Sequence, residues 1–195
     1  GQYAALTAEI EKLNKKIFTV CKKITDLRKK EGASFCQRVI NELKTLNIPS
    51  AQFDIEFTDY TEEDVDKAGA NGLDNVCFMF SANAGEPMKA LGKIISGGEM
   101  SRFMLAIKTQ LSDVNEISTY IFDEIDSGIS GDVARIVAEK FSVLSKNLQI
   151  ITISHLPQIV SYADNNYLIK KTEIGDKTNT TVSNLSVDGK IDEII

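Results

Sequence analysis

One group of residues with potential chemistry is a glycine pair beside a carboxylate. Ser96-Gly97-Gly98-Glu99 lies immediately before a stretch whose apolar residues recur at helical spacing. Glycine lets the backbone approach a ligand closely, and the start of a helix offers unpaired N–H groups and a partial positive charge. The segment is therefore suited to an anion, although such a sequence is also common in ordinary loops.

A second group is a pair of carboxylates, Asp123 and Glu124, that follows the short apolar run Tyr120-Ile121-Phe122. The run predicts a buried strand, and open α/β sheets bind ligands at the carboxyl ends of their strands. An anion site followed by such a pair suggests a nucleotide phosphate with Mg²⁺, Asp123 lying near the metal and Glu124 activating a water molecule. Taken alone, however, such a pair is more often a solvated strand end.

The chain's single histidine, His155, follows another apolar run in the same way. Residues 148–153 are mostly aliphatic, which predicts an interior parallel strand covered on both faces. A lone histidine after a strand is usually only a polar residue at the strand's end. By itself it assigns no chemistry.

Helices and strands must position these residues, and the apolar pattern predicts both. One face of a helix after Glu99 carries Met100, Phe103, Met104, Ile107 and Leu111. A second helix is predicted over residues 131–146, a short third one through Ile159 and Val160, and the start of another at 191–195. Strands are predicted at 52–57 and 76–80, and a closing pair at 167–170 and 180–185 around a polar loop, 175–179.

The N-terminal part of the chain has apolar residues at alternating steps of four and three: Leu6, Ile10, Leu13, Ile17, Val20, Ile24 and Leu27. Three such heptads predict one strand of a coiled coil, and Ile with Leu at the core positions is typical of two-stranded coils. The partner is either an upstream strand or a second copy of the chain. The helix is expected to end at Asn47, because Pro49 restricts Ile48 to an extended conformation.

The composition fits one sizeable domain, with 43% hydrophobic residues among 195. The net charge of −6 argues against a basic nucleic-acid binder, but residues 1–30 hold eight Lys or Arg against three Asp or Glu. Lysines there could contact DNA phosphate. A solvated face of a charged helix explains them at least as well.

No apolar run approaches the roughly 18 residues that a membrane span needs, and no secretory signal is visible. The three cysteines, Cys21, Cys36 and Cys77, lack metal-ligand spacing, which predicts reduced thiols and a cytoplasmic location. The chain lacks an initiating Met, and we expect it to be a piece of a longer protein.

The ordered combination of segments is more specific than any one of them. The segments are G-E-P-M-K-A-L-G-K-I-I-S-G-G-E-M-S-R, F-D-E-I-D-S-G-I-S-G and T-I-S-H-L-P-Q-I. Together they closely resemble the C-terminal part of the RecN family of bacterial DNA-repair proteins, relatives of the SMC proteins with an ABC-type ATPase head. The resemblance runs from about Ala33 to about Leu185. Its most specific parts are Gly-Ile-Ser-Gly after Asp126 and Leu-Pro-Gln after His155.

The resemblance implies an α/β fold, namely the C-terminal lobe of an ABC-type, P-loop NTPase-like ATPase head with a mostly parallel sheet flanked by helices, plus an N-terminal coiled-coil helix. Residues 1–47 would form the stump of the arm with its junction helix, and residues 48–195 the lobe. The chain contains no G-x-x-x-x-G-K-[ST] loop to cradle phosphates. In the family that loop lies in the N-terminal half, so we expect this chain alone to bind ATP poorly and hydrolyse it negligibly.

The resemblance also implies roles in an ATP site shared by two heads. The signature that contacts the γ-phosphate held by the partner head comprises Ser96, Gly97, Gly98 and Glu99. Asp123 would hold Mg²⁺ through water, Glu124 would orient and deprotonate the attacking water, and His155 would contact the γ-phosphate. Asp126 and Ser127, in the D-loop, would cross the dimer interface.

The implied partners are the N-terminal lobe of the same protein, a second head in a homodimer, and DNA, in particular double-strand ends, with no membrane and a location at the nucleoid. One alternative is another SMC-like or ABC-type head, serving chromosome maintenance or transport. Another is a non-enzymatic interaction module in which the heptad arm acts alone. The lack of membrane features counts against transport, and the intact Asp123, Glu124 and His155 count against a module with degenerate site residues.

Overall fold

The computed structural model describes residues 1–93, 97–111, 117–174, 177–186 and 189. The helices are α1 (Gln2–Thr45), α2 (Gly97–Gln110), α3 (Gly131–Leu144) and α4 (Pro157–Tyr162). The strands are β1 (Gln52–Phe57), β2 (Val76–Ser81), β3 (Lys89–Ala90), β4 (Thr119–Phe122), β5 (Gln149–Thr152), β6 (Tyr167–Ile174) and β7 (Lys177–Asn184). Glu62–Lys67 and Leu91–Lys93 form 3₁₀ turns. None of the helices in these ranges is long and apolar enough to cross a membrane.

The helix α1 is continuous over 44 residues, which confirms the predicted N-terminal helix. It ends where Asn47 takes a left-handed conformation, φ +63°, and the N–H of Ile48 donates to the carbonyl oxygen of Leu43 at 3.0 Å. The C-terminal part of α1 buries Cys36, Val39 and Leu43. The heptad positions that are exposed are Leu6, Ile10, Leu13, Ile17, Val20 and Leu27. The predicted coiled-coil stripe therefore faces solvent.

The strands β1, β2 and β3 form an antiparallel sheet in that order. Phe53 of β1 lies opposite Phe80 of β2, and both are buried. The ring of Phe53 also meets Phe35 of α1 and Phe78 edge-on, with centroids 6.1 Å and 5.5 Å away. Aromatic contacts of this kind join α1 to the sheet.

Polar contacts also anchor α1 to the loops of this sheet. Arg28 Nη1 donates to Oδ1 of Asp74 at 2.5 Å, and the Asp74 side chain is fully buried. One turn earlier, the hydroxyls of Thr25 and Tyr60 lie 2.8 Å apart. Because Thr25 donates its single hydroxyl proton to the carbonyl oxygen of Cys21, Tyr60 is the donor in that pair.

The strands β4 and β5 form a parallel pair in which Ile121 lies beside Ile151. Phe122 is buried, and its ring centroid lies 5.1 Å from that of Phe141 in α3. On the other face Ile121 is 69% exposed, and Ile151 and Ile153 are also exposed. The prediction that the strand before His155, here β5, is covered on both faces is therefore wrong for this chain, because no element among the described residues packs on the isoleucine face.

The strands β6 and β7 form an antiparallel hairpin paired from Tyr167 and Asn184 to Ile174 and Lys177. The closing pair of strands is confirmed, but the predicted loop at 175–179 is wrong in extent. Residues 177–179 belong to β7, because continuous pairing and the β-preference of threonine outweigh their polar character. Residues 175–176 and the helix predicted at 191–195 lie outside the described residues.

The chain folds as two compact units. One comprises Gly1–Lys44 with Ile48–Ile95, and the other comprises Thr45–Asn47 with Ser96–Ile195. The long helix thus packs with the antiparallel sheet, whereas α2, the parallel pair, α3 and α4 belong to the second unit. The parallel pair and the long helix agree with the predicted fold class. The division into an arm over 1–47 and a head lobe over 48–195 follows family resemblance rather than packing, and it stays a prediction.

Candidate functional site

The glycine pair at the start of α2 packs against the segment that follows β4. A Cβ atom on Gly97 would overlap Oε2 of Glu124. A Cβ atom on Gly98 would lie 2.8 Å from Cβ of Ser127 and 3.1 Å from the carbonyl oxygens of Glu124 and Ser127. Only glycine fits such close approaches without displacing its neighbours. The predicted anion-binding glycines and the predicted carboxylates are therefore neighbours in the fold.

The carboxylates Asp123 and Glu124 begin the β4–α3 loop, residues 123–130, and both are exposed. Asp123 Oδ1 accepts the backbone N–H of Glu124 at 2.9 Å, and the Asp123 carbonyl oxygen accepts the hydroxyl of Ser101 at 2.7 Å. Glu124 has a φ of +54°, in the left-handed region, which costs a residue other than glycine about 1–2 kcal/mol. The tight turn directs its carboxylate toward Gly97.

Arg102 holds the β4–α3 loop from the α2 side. Its residue is 5% exposed, and Nη1 donates to the carbonyl oxygens of Ser127 at 2.7 Å and Ile125 at 3.3 Å. Burial lowers the pKa of the guanidinium from its ordinary value, and the charge of Glu99 opposes that shift. Nε finds no hydrogen-bond partner among the described residues. Arg102 thus supplies a buried cation that fixes the loop through its backbone.

Asp126 points the other way and binds the segment around His155. Its Oδ2 accepts the hydroxyl of Ser154 at 2.6 Å and the backbone N–H of His155 at 2.9 Å, and His155 Nδ1 lies 3.0 Å away. Burial of Asp126 acts to raise its pKa, but the hydrogen bonds from Ser154 and His155 and the charge of the imidazole outweigh it, so the pKa lies below its ordinary value.

The structure brings together most of the residues predicted from the sequence: Gly97, Gly98, Asp123, Glu124, Asp126, Ser127 and His155. Glu99 lies in the first turn of α2 and is half-buried. Ser96 lies outside the described residues. Asp126 differs from expectation in its surroundings, because its buried carboxylate binds Ser154 and His155 of its own unit. A contact of Asp126 and Ser127 with a second head stays a prediction.

Sequence reasoning missed Ser101, Arg102 and Ser154, which hold the site residues by hydrogen bonds. A usable indication existed for Arg102, since it lies four residues after Gly98 and so on the same face of α2. Ser154 precedes His155 directly, at the end of an apolar run. A polar residue that interrupts an apolar run beside a motif is therefore a candidate for holding the site residues in place.

The residues at the end of β4 fit a Mg²⁺ ion that is held mainly by phosphate and water. Mg²⁺ commonly takes one or two protein carboxylates beside phosphate oxygens and waters. Asp123 offers an exposed carboxylate of this kind, whereas the carboxylate of Asp126 is already engaged. Within the described part of the chain, no group of three or more His, Cys, Asp or Glu residues could hold a metal without such help.

No family model matches the sequence. The chain is 38% identical over 195 residues to the DNA repair protein RecN of Treponema pallidum (strain Nichols), which covers 100% of this chain and 34% of that protein. It is 36% identical over 200 residues to the DNA repair protein RecN of Bacillus subtilis (strain 168), covering 97% of this chain and 35% of the relative. The chain thus spans about a third of the length of these relatives.

A likeness in fold extends to a solved SMC head. The crystal structure of the Smc head domain with a coiled coil and joint from Pyrococcus yayanosii matches with a TM-score of 0.51 at 19% identity. The match covers 99% of this chain and 36% of that one. At this identity the likeness concerns the fold alone.

Proposed function

Because the chain belongs to the RecN family of DNA repair proteins and corresponds to their C-terminal part, we propose that it supplies half of an ATP-hydrolysing head. The start of α2 contacts the γ-phosphate bound by a second head. Asp123 would hold Mg²⁺, Glu124 would act as the general base, and His155 would contact the phosphate bound by its own head. ATP would supply the phosphorus atom that the water attacks, and Mg²⁺ would neutralise the charge that develops on the phosphate oxygens.

The observation that carries the proposal is the packing of Gly97 against the carboxylate of Glu124. Phosphoryl transfer asks little covalent chemistry of the protein and depends on positioning and electrostatic stabilisation. In the proposed dimer, Gly97 serves the partner's ATP and Glu124 serves the ATP of its own head. Their contact therefore joins the two ATP sites that one head would serve. Glu124 would orient a water molecule and accept its proton.

An exposed apolar face supports the N-terminal lobe as a partner. Ile121 and Ile151 lie side by side in the parallel pair, and Ile153 follows; all three are exposed. Parallel strands are normally covered on both faces, so this face is suited to burial. The N-terminal lobe, which in the family carries the phosphate loop, is the proposed cover. Without it, we expect the chain to bind ATP poorly and to hydrolyse it negligibly.

The heptad stripe of α1 supports a second contact, with the returning strand of a coiled-coil arm. Its exposed residues include Ile10, Leu13 and Ile17, and a continuous a/d stripe is the seam of a two-stranded coil. DNA is proposed as a further partner, since both relatives are named DNA repair proteins. We propose double-strand ends as the form of DNA that is bound, and the bacterial nucleoid as the location. The basic residues of positions 1–30 are suited to phosphate contacts.

The test is ATP turnover by this chain, by a separately produced N-terminal lobe bearing the phosphate loop, and by their mixture. We expect turnover only in the mixture. Glu124→Gln should lower it about a hundredfold or more, because a general base contributes at least that much. Glu173→Gln, which makes the same change at an exposed position of β6, is the matched control and should retain full turnover.

Turnover in the mixture that survives Glu124→Gln would contradict the role of Glu124. Turnover by the chain alone would contradict the division of the site between two lobes. Two lobes that bind each other without hydrolysing ATP would favour the non-enzymatic interaction module instead.

A further inference from the structure

The side chain of His155 is 80% exposed, yet Asp126 holds one edge of its ring. Three groups lie within 3.0 Å of a single carboxylate oxygen, Oδ2 of Asp126, and two of them belong to His155. These are the backbone N–H at 2.9 Å and ring Nδ1 at 3.0 Å. The hydroxyl of Ser154 at 2.6 Å is the third. The residue Asp126 itself is 6% exposed, so water competes little for these bonds.

This geometry favours a proton on one particular ring nitrogen. An ionised carboxylate only accepts hydrogen bonds, so we infer that Nδ1, 3.0 Å from Oδ2, carries the proton. The hydrogen bond made by one ring nitrogen sets the protonation of the other. The neutral imidazole therefore has its proton on Nδ1 and presents an unprotonated Nε2 outward. Nε2 donates to a phosphate oxygen only when the ring binds a second proton, and the carboxylate of Asp126 then lies beside the charged ring.

The backbone around Asp126 is also held in place, by Arg102. Arg102 binds the carbonyl oxygens of Ile125 and Ser127, the residues on either side of Asp126. The backbone of Asp126 is thus fixed on the α2 side while its carboxylate reaches Ser154 and His155. Because both its backbone and its carboxylate are held, the side chain of Asp126 has few alternative positions.

We propose that Asp126 is a positioning residue for His155, which it orients so that Nε2 faces the γ-phosphate. The inference rests on the proposed function, in which His155 contacts that phosphate. It gives Asp126 a role within its own unit. Carboxylates that hold the far nitrogen of a metal-binding histidine typically affect metal affinity or activity about ten- to a hundredfold, and we expect an effect of that order here.

The test uses the 195-residue chain, in which a single histidine gives one set of ring signals. Long-range ¹H–¹⁵N correlation NMR reports the tautomer when the pH lies about two units above the ordinary histidine pKa of ~6.5. We expect a protonated Nδ1 in the unmodified chain. Asp126→Ala should abolish this preference and Asp126→Asn should weaken it, since the amide oxygen is a poorer acceptor than the carboxylate.

Two controls separate positioning from general loss of structure. Ser154→Ala removes one donor to Asp126 but leaves both contacts of Asp126 with His155, so the Nδ1–H tautomer should persist. Asp164→Asn makes the same change of charge at an exposed position and should leave the tautomer unchanged. If Asp126→Ala does not fold by circular dichroism, Asp126→Asn decides the question. A protonated Nε2 in the unmodified chain, or an unchanged tautomer in folded Asp126 variants, would overturn the proposal.

ATP turnover in the two-lobe mixture separates this proposal from the proposed function. We expect Asp126→Asn to lower kcat about tenfold with little change in KM. If Asp126→Asn changes the tautomer but not kcat, the positioning role is overturned. The role of Glu124 is tested separately, by Glu124→Gln. Absence of turnover in the unmodified mixture would contradict the proposed function. It would also remove the catalytic role proposed for the His155 orientation, even if NMR detects that orientation.

Discussion

Gly97 lies so close to the carboxylate of Glu124 that no side chain fits between them. The glycine belongs to the first turn of α2, and the glutamate follows β4 in a left-handed conformation with a φ of +54°. The two residues are far apart in sequence but share one contact in the fold. The contact links a predicted anion-binding turn to a predicted catalytic base, and it leads to the first prediction.

Gly97→Ala should displace the Glu124 carboxylate at little cost in stability. The atom that the new methyl group would meet, Oε2, lies at the end of a flexible side chain. Turnover in the two-lobe mixture should nevertheless fall about ten- to a hundredfold, since small misplacements of catalytic groups have effects of this size. Gly92→Ala is the control, because a Cβ atom there has no neighbour within 4 Å.

Gly98→Ala provides the contrasting case. Its methyl group would meet the carbonyl oxygens of Glu124 and Ser127 at 3.1 Å, and backbone yields less easily than a side-chain end. We expect this variant to lower the free energy of unfolding by about 1–3 kcal/mol. Equal stability losses for Gly97→Ala and Gly98→Ala in urea unfolding would contradict the distinction.

Arg102→Met should destabilise the second compact unit. The change removes two hydrogen bonds to carbonyl oxygens of the β4–α3 loop, one buried and one part-buried, and leaves those acceptors without their donor. We expect a loss of about 1–3 kcal/mol in the free energy of unfolding, measured by urea denaturation. Arg135→Met breaks exposed ion pairs on α3 and should cost less than about 1 kcal/mol. Similar losses for both variants would argue against a special role for Arg102.

The lowered pKa of Asp126 predicts a specific loss of stability in acid. The ionised carboxylate stabilises the fold fully above its unfolded-state pKa of ~3.9. This contribution disappears as the pH falls below that value and through the lower folded-state pKa. Asp126→Asn should therefore show a weaker decline of stability between neutral pH and about pH 2 than the unmodified chain does.

The measurement is the urea midpoint as a function of pH for both proteins. Asp64, whose pKa of about 2 is lowered by hydrogen bonds from Lys67 and Thr61, contributes equally to both and cancels in the comparison. Asp164→Asn should follow the unmodified chain. Parallel curves for Asp126→Asn and the unmodified chain would show that Asp126 does not titrate with folding.

Ile121→Glu should weaken binding to the N-terminal lobe without unfolding the chain. Ile121 is 69% exposed, and exposed positions usually change stability by less than about 0.5 kcal/mol. If the lobe covers this face, a buried unpaired charge should reduce affinity at least about tenfold in calorimetry. Val143→Glu, at an exposed position of α3, is the control and should bind normally. Undiminished binding by Ile121→Glu would exclude this face as the contact.

The sequence predicted the elements whose patterns are local. Heptad spacing led to α1, and an apolar run before Asp123 and Glu124 led to β4. The direction of the Asp126 side chain was not predictable, because its partner Ser154 is 28 residues away and only the packed fold brings them together. Burial of Arg102 escaped prediction for the same reason. The exposure of Ile151 was not predictable either, because an apolar strand has the same sequence pattern whether one or both of its faces are covered.

The uninterrupted course of α1 has a mechanical consequence. At 1.5 Å per residue, 44 residues make a rod of ~66 Å. Its C-terminal part is fastened to the antiparallel sheet through Phe35 and Phe53, whereas its N-terminal stripe is open to a partner. Tilting such a rod by about 5° moves its far end by ~6 Å. A small rotation of the antiparallel sheet together with α1 would therefore displace a partner bound at the distal end of the helix by several ångströms.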